Sequence, residues 1–296
     1  MAKHVLAILN RPSPDAPAHA PGAPAFHFAD SAEPQLSVLD LGATRGDGIF
    51  ETISVGYGRP QALEHHLRRF ASSASTLALP APDLDAWREA ILAVIGELEP
   101  SDEAYVKTVM TRGIEGDDKP TGWVYGSPSP DHSRARREGI RVVLLDRGYR
   151  HDIQSTAPWL LAGAKTLSYA VNRAVAREAA RREADDVVFV SSDGILLEGP
   201  TSTLVFRTGN RLLTPGTRLG ILDGTTQANV FRFAESRGMD TGFELAAPEA
   251  LLGADAAWLV SSVRLAAPIR AVDGAELAID HEFTADLNEY LKNLTD

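Results

Sequence analysis

The run from Trp159 to Phe206 constrains the fold more than any other stretch of the chain. WLLAGAKTLSYAVNRAVAREAARR passes from strand-like residues into a helix expected over 169–183. DDVVFVSSDGILLEGPTSTLVF then reads as a hairpin, VVFV–SSDG–ILLEG, followed by another strand. A hydrophobic period that switches this often between helix and strand excludes an all-α bundle and an all-β sandwich. It requires a mixed architecture, α+β or α/β. Two chemically capable residues stand at the joints of this run. Lys165 lies where strand gives way to helix, and Glu198 closes the returning arm of the hairpin.

The rest of the chain extends the same pattern. GIFETISVGYGRPQALEHHLRRFASSASTLAL reads as strand, tight turn, short strand and helix. The helix is expected over 63–78, with Leu63, Leu67, Phe70, Ala74 and Leu77 on one face. A second helix is expected over about 83–98 with Asp83 as its N-cap, and strand EAYVKTVMTRG follows. GILDGTTQANVFRFAESRG is a turn and helix. AAWLVSSVRLAAPIRAVDG reads as strand, with Ser261 and Ser262 ending its arm AAWLVSS, and a C-terminal helix begins near Thr284. Two stretches show no period: 11–35, rich in Pro and Ala, and 114–137, with Gly, Pro, Ser and the basic run RARRE. Both are expected as loops. A composition break near 148–155 divides the chain into 1–147 and 148–296.

Composition limits the functions open to such a chain. Its 296 residues suffice for two domains, and 44% hydrophobic with 23% charged residues is ordinary for a globular protein. There is no cysteine, which removes disulfides, thiolate catalysis and cysteine-bound metals. The formal net charge of −11 disfavours nucleic acid and anionic membranes as partners. No apolar run approaches the roughly 18–20 residues of a membrane span. The N-terminal run is too short for a signal sequence and reads as a first strand. Cytoplasmic residence and a small-molecule ligand are the expectations.

Lys165 and Glu198 together point to pyridoxal phosphate (PLP). A lysine amine among apolar neighbours can form a Schiff base, and a carboxylate can hold a pyridine nitrogen protonated, so that the cofactor serves as electron sink. Gly224, Thr225 and Thr226 open a helix, where N–H groups, hydroxyls and the positive helix end suit a phosphate. Arg69, inward beside Leu67 and Phe70, suits the same anion bidentately. Each has a plain alternative: an exposed lysine ahead of a helix, an ion-paired strand-end glutamate, a threonine helix cap, a solvated arginine. Ser261 and Ser262 either add hydroxyls to the anion or close a turn. His65 and His66 lack metal-ligand spacing and read as packing or supporting residues, so no metal is expected. Gly46 and Gly48 around Asp47 permit a tight turn.

GDGIFET, HHLRRFASSA, TRG at 111–113, AKTLSYAVN, LLEGPTSTLVF and LDGTTQ, in this order over about 45–265, resemble the fold-type IV PLP enzymes. That family includes branched-chain and D-amino-acid aminotransferases and aminodeoxychorismate lyases, and the motifs look most like the actinobacterial lyase branch. The resemblance implies a small N-terminal α+β domain, a larger C-terminal pseudo-barrel domain, PLP between them, and a homodimer. It makes Lys165 the Schiff-base lysine, Glu198 the ring-nitrogen partner, Arg69 the phosphate arginine, and Thr225 and Thr226 the phosphate-binding pair. Ser262 falls near a further phosphate hydroxyl, although Val263 replaces the threonine usual after it.

The resemblance leaves two chemistries open. D-amino-acid aminotransferases carry an Arg-x-His carboxylate trap after TRG, whereas TRGIEGDDKP has acids there. Thr52 puts a hydroxyl where those enzymes have an apolar residue, as a lyase needs to protonate a leaving enolpyruvyl group. Substrate carboxylates then fall to Arg45, Arg112, Arg264 or a partner chain. The expectation is a 4-amino-4-deoxychorismate lyase making 4-aminobenzoate and pyruvate, with a D-amino-acid or branched-chain aminotransferase as the alternative. A non-catalytic binding protein derived from the family is the contrasting class, and intact Lys165, Glu198 and Arg69 argue against it.

Overall fold

The computed structural model describes residues 4–14 and 24–294. It divides into two compact units. The first holds the chain up to Pro130, Ala164–Tyr169 and the chain from Lys292; the second holds Asp131–Gly163 and Ala170–Leu291.

The first unit contains strands β1 (Val5–Leu9), β2 (Phe26–Ala29), β3 (Gly48–Gly56), β4 (Arg59–Pro60), β5 (Glu103–Thr111) and β6 (Thr121–Pro128), and helices α1 (Leu41–Arg45), α2 (Leu63–Thr76) and α3 (Leu84–Glu97). The sheet order is β2-β1-β6-β5-β3-β4, antiparallel throughout. Ile49, Ile53 and Val55 of β3, Val106 and Met110 of β5 and Val124 of β6 form one apolar face. On it lie Leu63, Leu67, Phe70 and Ala74 of α2 and Trp87, Ala90, Ile91 and Val94 of α3. Asp83 caps α3 as expected, accepting from the Ala86 N–H.

Both expected loops contain regular structure. Phe26–Ala29 pairs with β1, while residues 15–23 of the first loop lie outside the described residues. The second contains β6 and a short helix, α4 (Ser133–Glu138). Glycines hid β6 from the sequence reading. Yet a Cβ at Gly122 would meet Trp87 at 2.9 Å, and one at Gly126 would meet Val94 at 2.6 Å. They are the places where α3 presses onto the strand, not loop residues.

The second unit continues with β7 (Ile140–Asp146), α5 (Ile153–Thr156), α6 (Ala170–Arg181), β8 (Asp186–Val190), β9 (Thr203–Thr208), β10 (Arg211–Pro215), α7 (Thr225–Ser236), β11 (Asp240–Glu244), α8 (Pro248–Leu252), β12 (Ala256–Ser261), β13 (Leu265–Val272), β14 (Ala275–Glu276) and α9 (His281–Lys292). The sheet runs β11-β10-β9-β12-β13-β7-β8, with β14 on β13. Val142 and Val188 belong to one apolar cluster, and their neighbours Val143, Val187 and Phe189 to another. A sheet buried on both faces needs such unbroken apolar runs. The expected division at 147/148 differs from the contact units because β7 pairs with β13 and β8. AAWLVSSVRLAAPIRAVDG is two antiparallel strands, β12 and β13, joined by a turn at 262–264.

Candidate functional site

Strand β3 sends alternate side chains to opposite faces of the first sheet, and both matter. Phe50 and Thr52 lie on the face away from the helices, and Glu51 lies on the helix side. On the open face the Lys165 ammonium sits 4.5 Å from the centroid of the Phe50 ring, and Lys107 sits 5.8 Å from it. Lys107 is directly opposite Thr52 in the β3–β5 register. The edge of Phe50 packs against Tyr169, with centroids 5.2 Å apart.

Lys165 reaches this place by an unexpected route. The residues before it form no strand: Pro158–Leu160 is a 3-10 turn with Trp159 74% exposed. The extended segment is instead an edge piece on β3. The Phe50 N–H donates to the Lys165 carbonyl at 3.1 Å, and the Leu167 N–H to the Gly48 carbonyl at 2.8 Å. Gly48 allows this approach, because a Cβ there would meet Leu167 at 2.7 Å. The Lys165 N–H also donates to Ser73 Oγ of α2 at 3.2 Å.

On the helix side, Arg69 points inward and Arg68 outward, as their flanks suggested. Arg69 donates from Nε to Glu51 Oε1 at 2.7 Å and from Nη2 to Oε2 at 2.6 Å. His66 Nδ1 stands 2.7 Å from Glu51 Oε2. Burial opposes the charge on Glu51, but the Arg69 guanidinium and the His66 hydrogen bond outweigh it and hold the carboxyl far below the usual glutamate range. Burial, aided by repulsion from Arg69 and Lys165, lowers the His66 pKa against the pull of Glu51. The imidazole is therefore a neutral N–H donor at pH 7.

Arg112, an expected substrate ligand, is bonded to the scaffold around it. Its Nε and Nη2 bond Asp47 at 2.7 and 3.3 Å, and Nη2 and Nη1 bond the carbonyls of Leu77 and Ala78 just past the end of α2. The flanking residues of TRG serve the same scaffold. Thr111 Oγ1 donates to Asp40, and Gly113 has φ +85°, where a Cβ would meet the Lys119 carbonyl oxygen at 2.0 Å. Arg45 is exposed at the end of α1.

In the second unit Glu198 is positioned by the expected hairpin. Across it the Phe189 N–H donates to the Glu198 carbonyl and the Leu197 N–H to the Phe189 carbonyl, both at 2.9 Å, and the Leu222 N–H donates to both Glu198 carboxylate oxygens at 3.2 Å. Tyr149, missed in the sequence, feels this charge. Burial first, and then Glu198, raise its phenol pKa despite the Arg147 guanidinium over its ring. Thr225 and Thr226 are buried in the first turn of α7, and the N-cap is Gly224, whose lack of a side chain leaves no side-chain cap. A Cβ at Gly224 would meet Thr203 Oγ1 at 2.5 Å. This helix start, without a side-chain cap and crowded by hydroxyls, fits a phosphate. Ser262 lies in the β12–β13 turn, whose Val263 and Arg264 carbonyls accept from Arg136. Arg264 pairs with Asp186 at 2.6 Å, and its Nε is buried without a hydrogen-bond partner. Among the described residues no cluster of His, Asp and Glu could hold a metal, and no helix is long and apolar enough to cross a membrane.

A lysine amine over an aromatic ring, an inward, ion-paired arginine, a glutamate anchored by backbone and a helix start without a side-chain cap are the parts of a fold-type IV, PLP-dependent enzyme. The chain belongs to the aminotransferase class IV family, whose profile matches residues 48–272. It is 45% identical over 254 residues to a bifunctional aminodeoxychorismate lyase / D-amino acid transaminase of Mycobacterium tuberculosis, covering 82% of this chain and 88% of that protein. A fold IV-transaminase from Curtobacterium pusillum superposes with a TM-score of 0.95 at 52% identity, covering 99% of this chain and 100% of that one. A hypothetical aminotransferase from M. tuberculosis in its PLP-bound form gives a TM-score of 0.88 at 38% identity, with 98% and 99% covered.

Proposed function

We propose that this enzyme is a 4-amino-4-deoxychorismate lyase, forming 4-aminobenzoate and pyruvate for folate precursor synthesis, with D-amino-acid transamination as a second activity. The observation that carries the lyase reading is Thr52. Its hydroxyl shares a sheet face with Phe50, the ring beneath the Lys165 ammonium.

In this reading Lys165 carries the cofactor, Glu198 keeps its ring nitrogen protonated, and Arg69, Thr225, Thr226 and Ser262 hold its phosphate. Bound PLP supplies the sink for electrons released at the substrate carbon. The Lys165 amine takes the proton from that carbon, and Thr52 passes a proton onward to the departing enolpyruvyl group, which leaves as pyruvate. Lys107, exposed and directly opposite Thr52, meets a substrate carboxylate in place of the engaged Arg112. Arg45, which is exposed, is a further cation for an anionic substrate, and Arg264 would serve as one only by giving up Asp186. The enzyme acts as a cytoplasmic homodimer, with neither nucleic acid nor membrane as a partner.

The transaminase reading draws on the names of the relatives: one is bifunctional, and another is a transaminase. Product analysis separates the two. Incubation with aminodeoxychorismate should release 4-aminobenzoate and pyruvate in equal amounts, and D-alanine with 2-oxoglutarate should turn over more slowly. Robust transamination with no 4-aminobenzoate would reject the lyase.

A further inference from the structure

Glu51 occupies a position that packing alone would fill with an aliphatic side chain. Its strand neighbours on the same face are Ile49 and Ile53, both essentially buried, and Glu51 itself is 1% exposed. A carboxylate there is costly unless fully bonded, so its partners reveal its use. Those partners are Arg69, through a two-point fork, and His66, through one further bond. All three groups come from β3 and one face of α2.

The fork has a directional consequence. By using Nε and Nη2, Glu51 fixes the plane of the guanidinium and turns the edge carrying Nη1 away from the pair. One turn further along α2, Ser73 Oγ accepts from the Lys165 backbone N–H. The helix that carries Arg69 therefore also registers the lysine segment.

We propose that Glu51 is a positioning residue for the cofactor phosphate: it acts through Arg69, and His66 fixes its carboxylate. The proposal rests on the reading of Arg69 as a phosphate ligand. Without the carboxylate, the guanidinium would keep its charge and lose the fork that sets its plane, and more of the ordering of a long flexible side chain would fall to the phosphate.

The test compares PLP with pyridoxal, which lacks the phosphate, by absorbance titration of the full-length apo-protein. The ratio of the two affinities reads the phosphate contact and cancels changes at Lys165. Arg69→Ala should remove a large part of the preference for PLP. Glu51→Gln, nearly isosteric, should lower that preference about tenfold while pyridoxal affinity stays within about twofold. In the double variant Glu51→Gln should add less than about twofold to Arg69→Ala, since its effect is transmitted through that side chain. Glu51→Asp, which keeps the charge, should recover part of the preference.

Equal loss of PLP and pyridoxal in Glu51→Gln would show a general structural role and overturn the proposal. So would full additivity with Arg69→Ala. If Arg69→Ala itself leaves the preference intact, the phosphate role of Arg69 falls, and this proposal falls with it. Should Glu51→Gln fail to fold, His66→Asn reports on the same carboxylate. It should lower the preference about threefold, and no change would count against the proposal.

Discussion

Phe50, Glu51 and Thr52 are consecutive, yet they belong to two different environments. The face with Phe50 and Thr52 lies away from the helices and holds two lysine ammonium groups beside one ring. The face with Glu51 is closed by α2, and its charges are matched donor to acceptor within the core. A pleated strand thus separates two sets of charged groups by the thickness of one backbone. The difference teaches that charge on the closed face is already paired within the core and acts by direction, whereas the ammonium groups of the other face lie against an aromatic ring.

The sharpest way to break this contrast is at Lys165. Lys165→Ala should abolish turnover, because the amine is both point of attachment and base, while the closed face should stay intact. Borohydride reduction followed by mass spectrometry should place the phosphopyridoxyl label on Lys165; a label on any other lysine would sink the assignment.

Thr52→Val comes next. The change is nearly isosteric on the open face, so folding should survive, and 4-aminobenzoate release should fall about tenfold. Transamination of D-alanine should change little. Equal losses in both reactions, measured side by side, would reduce Thr52 to a pocket wall.

A smaller effect is expected at Lys107. Lys107→Met keeps the stem but removes the charge, and KM for aminodeoxychorismate should rise about fivefold with kcat nearly unchanged, the pattern of a uniform binding contact. A fall in kcat alone would place the residue in the chemistry.

The smallest effect belongs to the closed face and is read by pH. Buried His66 is neutral in the folded chain, with its pKa below 6.5. The unfolded chain takes up a proton as pH falls through about 6.5, so it binds more protons than the folded one, and stability declines on that side. The melting temperature of apo wild type should therefore drop between pH 7.5 and 5.5, and that of His66→Asn should drop less. Glu51, held far below its ordinary range, stays ionised throughout this window. Parallel curves for the two proteins would contradict a neutral His66.

Most helices were legible from sequence because their apolar spacing survives in the packing: α2, α3 and α6 lie within a few residues of expectation. The strands that escaped did so for local reasons. β6 carries the glycines that admit α3, and β2 is only FHFA beside a proline-rich run. The placement of candidate residues was legible where it is written in their own neighbours, as for the Thr225–Thr226 helix start. It was not legible where roles depend on a distant partner. Nothing near Glu51 in sequence announces that an arginine on the next helix will meet it. Nothing in TRG shows that Arg112 will close the end of α2 rather than face a ligand. Lys107 stands out only through the register that sets it opposite Thr52.

The segment carrying Lys165 has a second effect, on the life of the protein before it is an enzyme. β4 pairs with β3 only at Val55 and Gly56, and the bridge from Thr166 to Ile49 covers the other end of the same edge. Until the chain has returned from its excursion into the second unit, that end of a hydrophobic strand stands bare, a template for pairing with another molecule. Closing a contact so distant in sequence is slow, so nascent or refolding chains pass through a sticky interval. The segment that carries Lys165 is thus also the one that ends this exposure. A substitution that loosens it would show first as aggregation during expression, and only afterwards as lost activity.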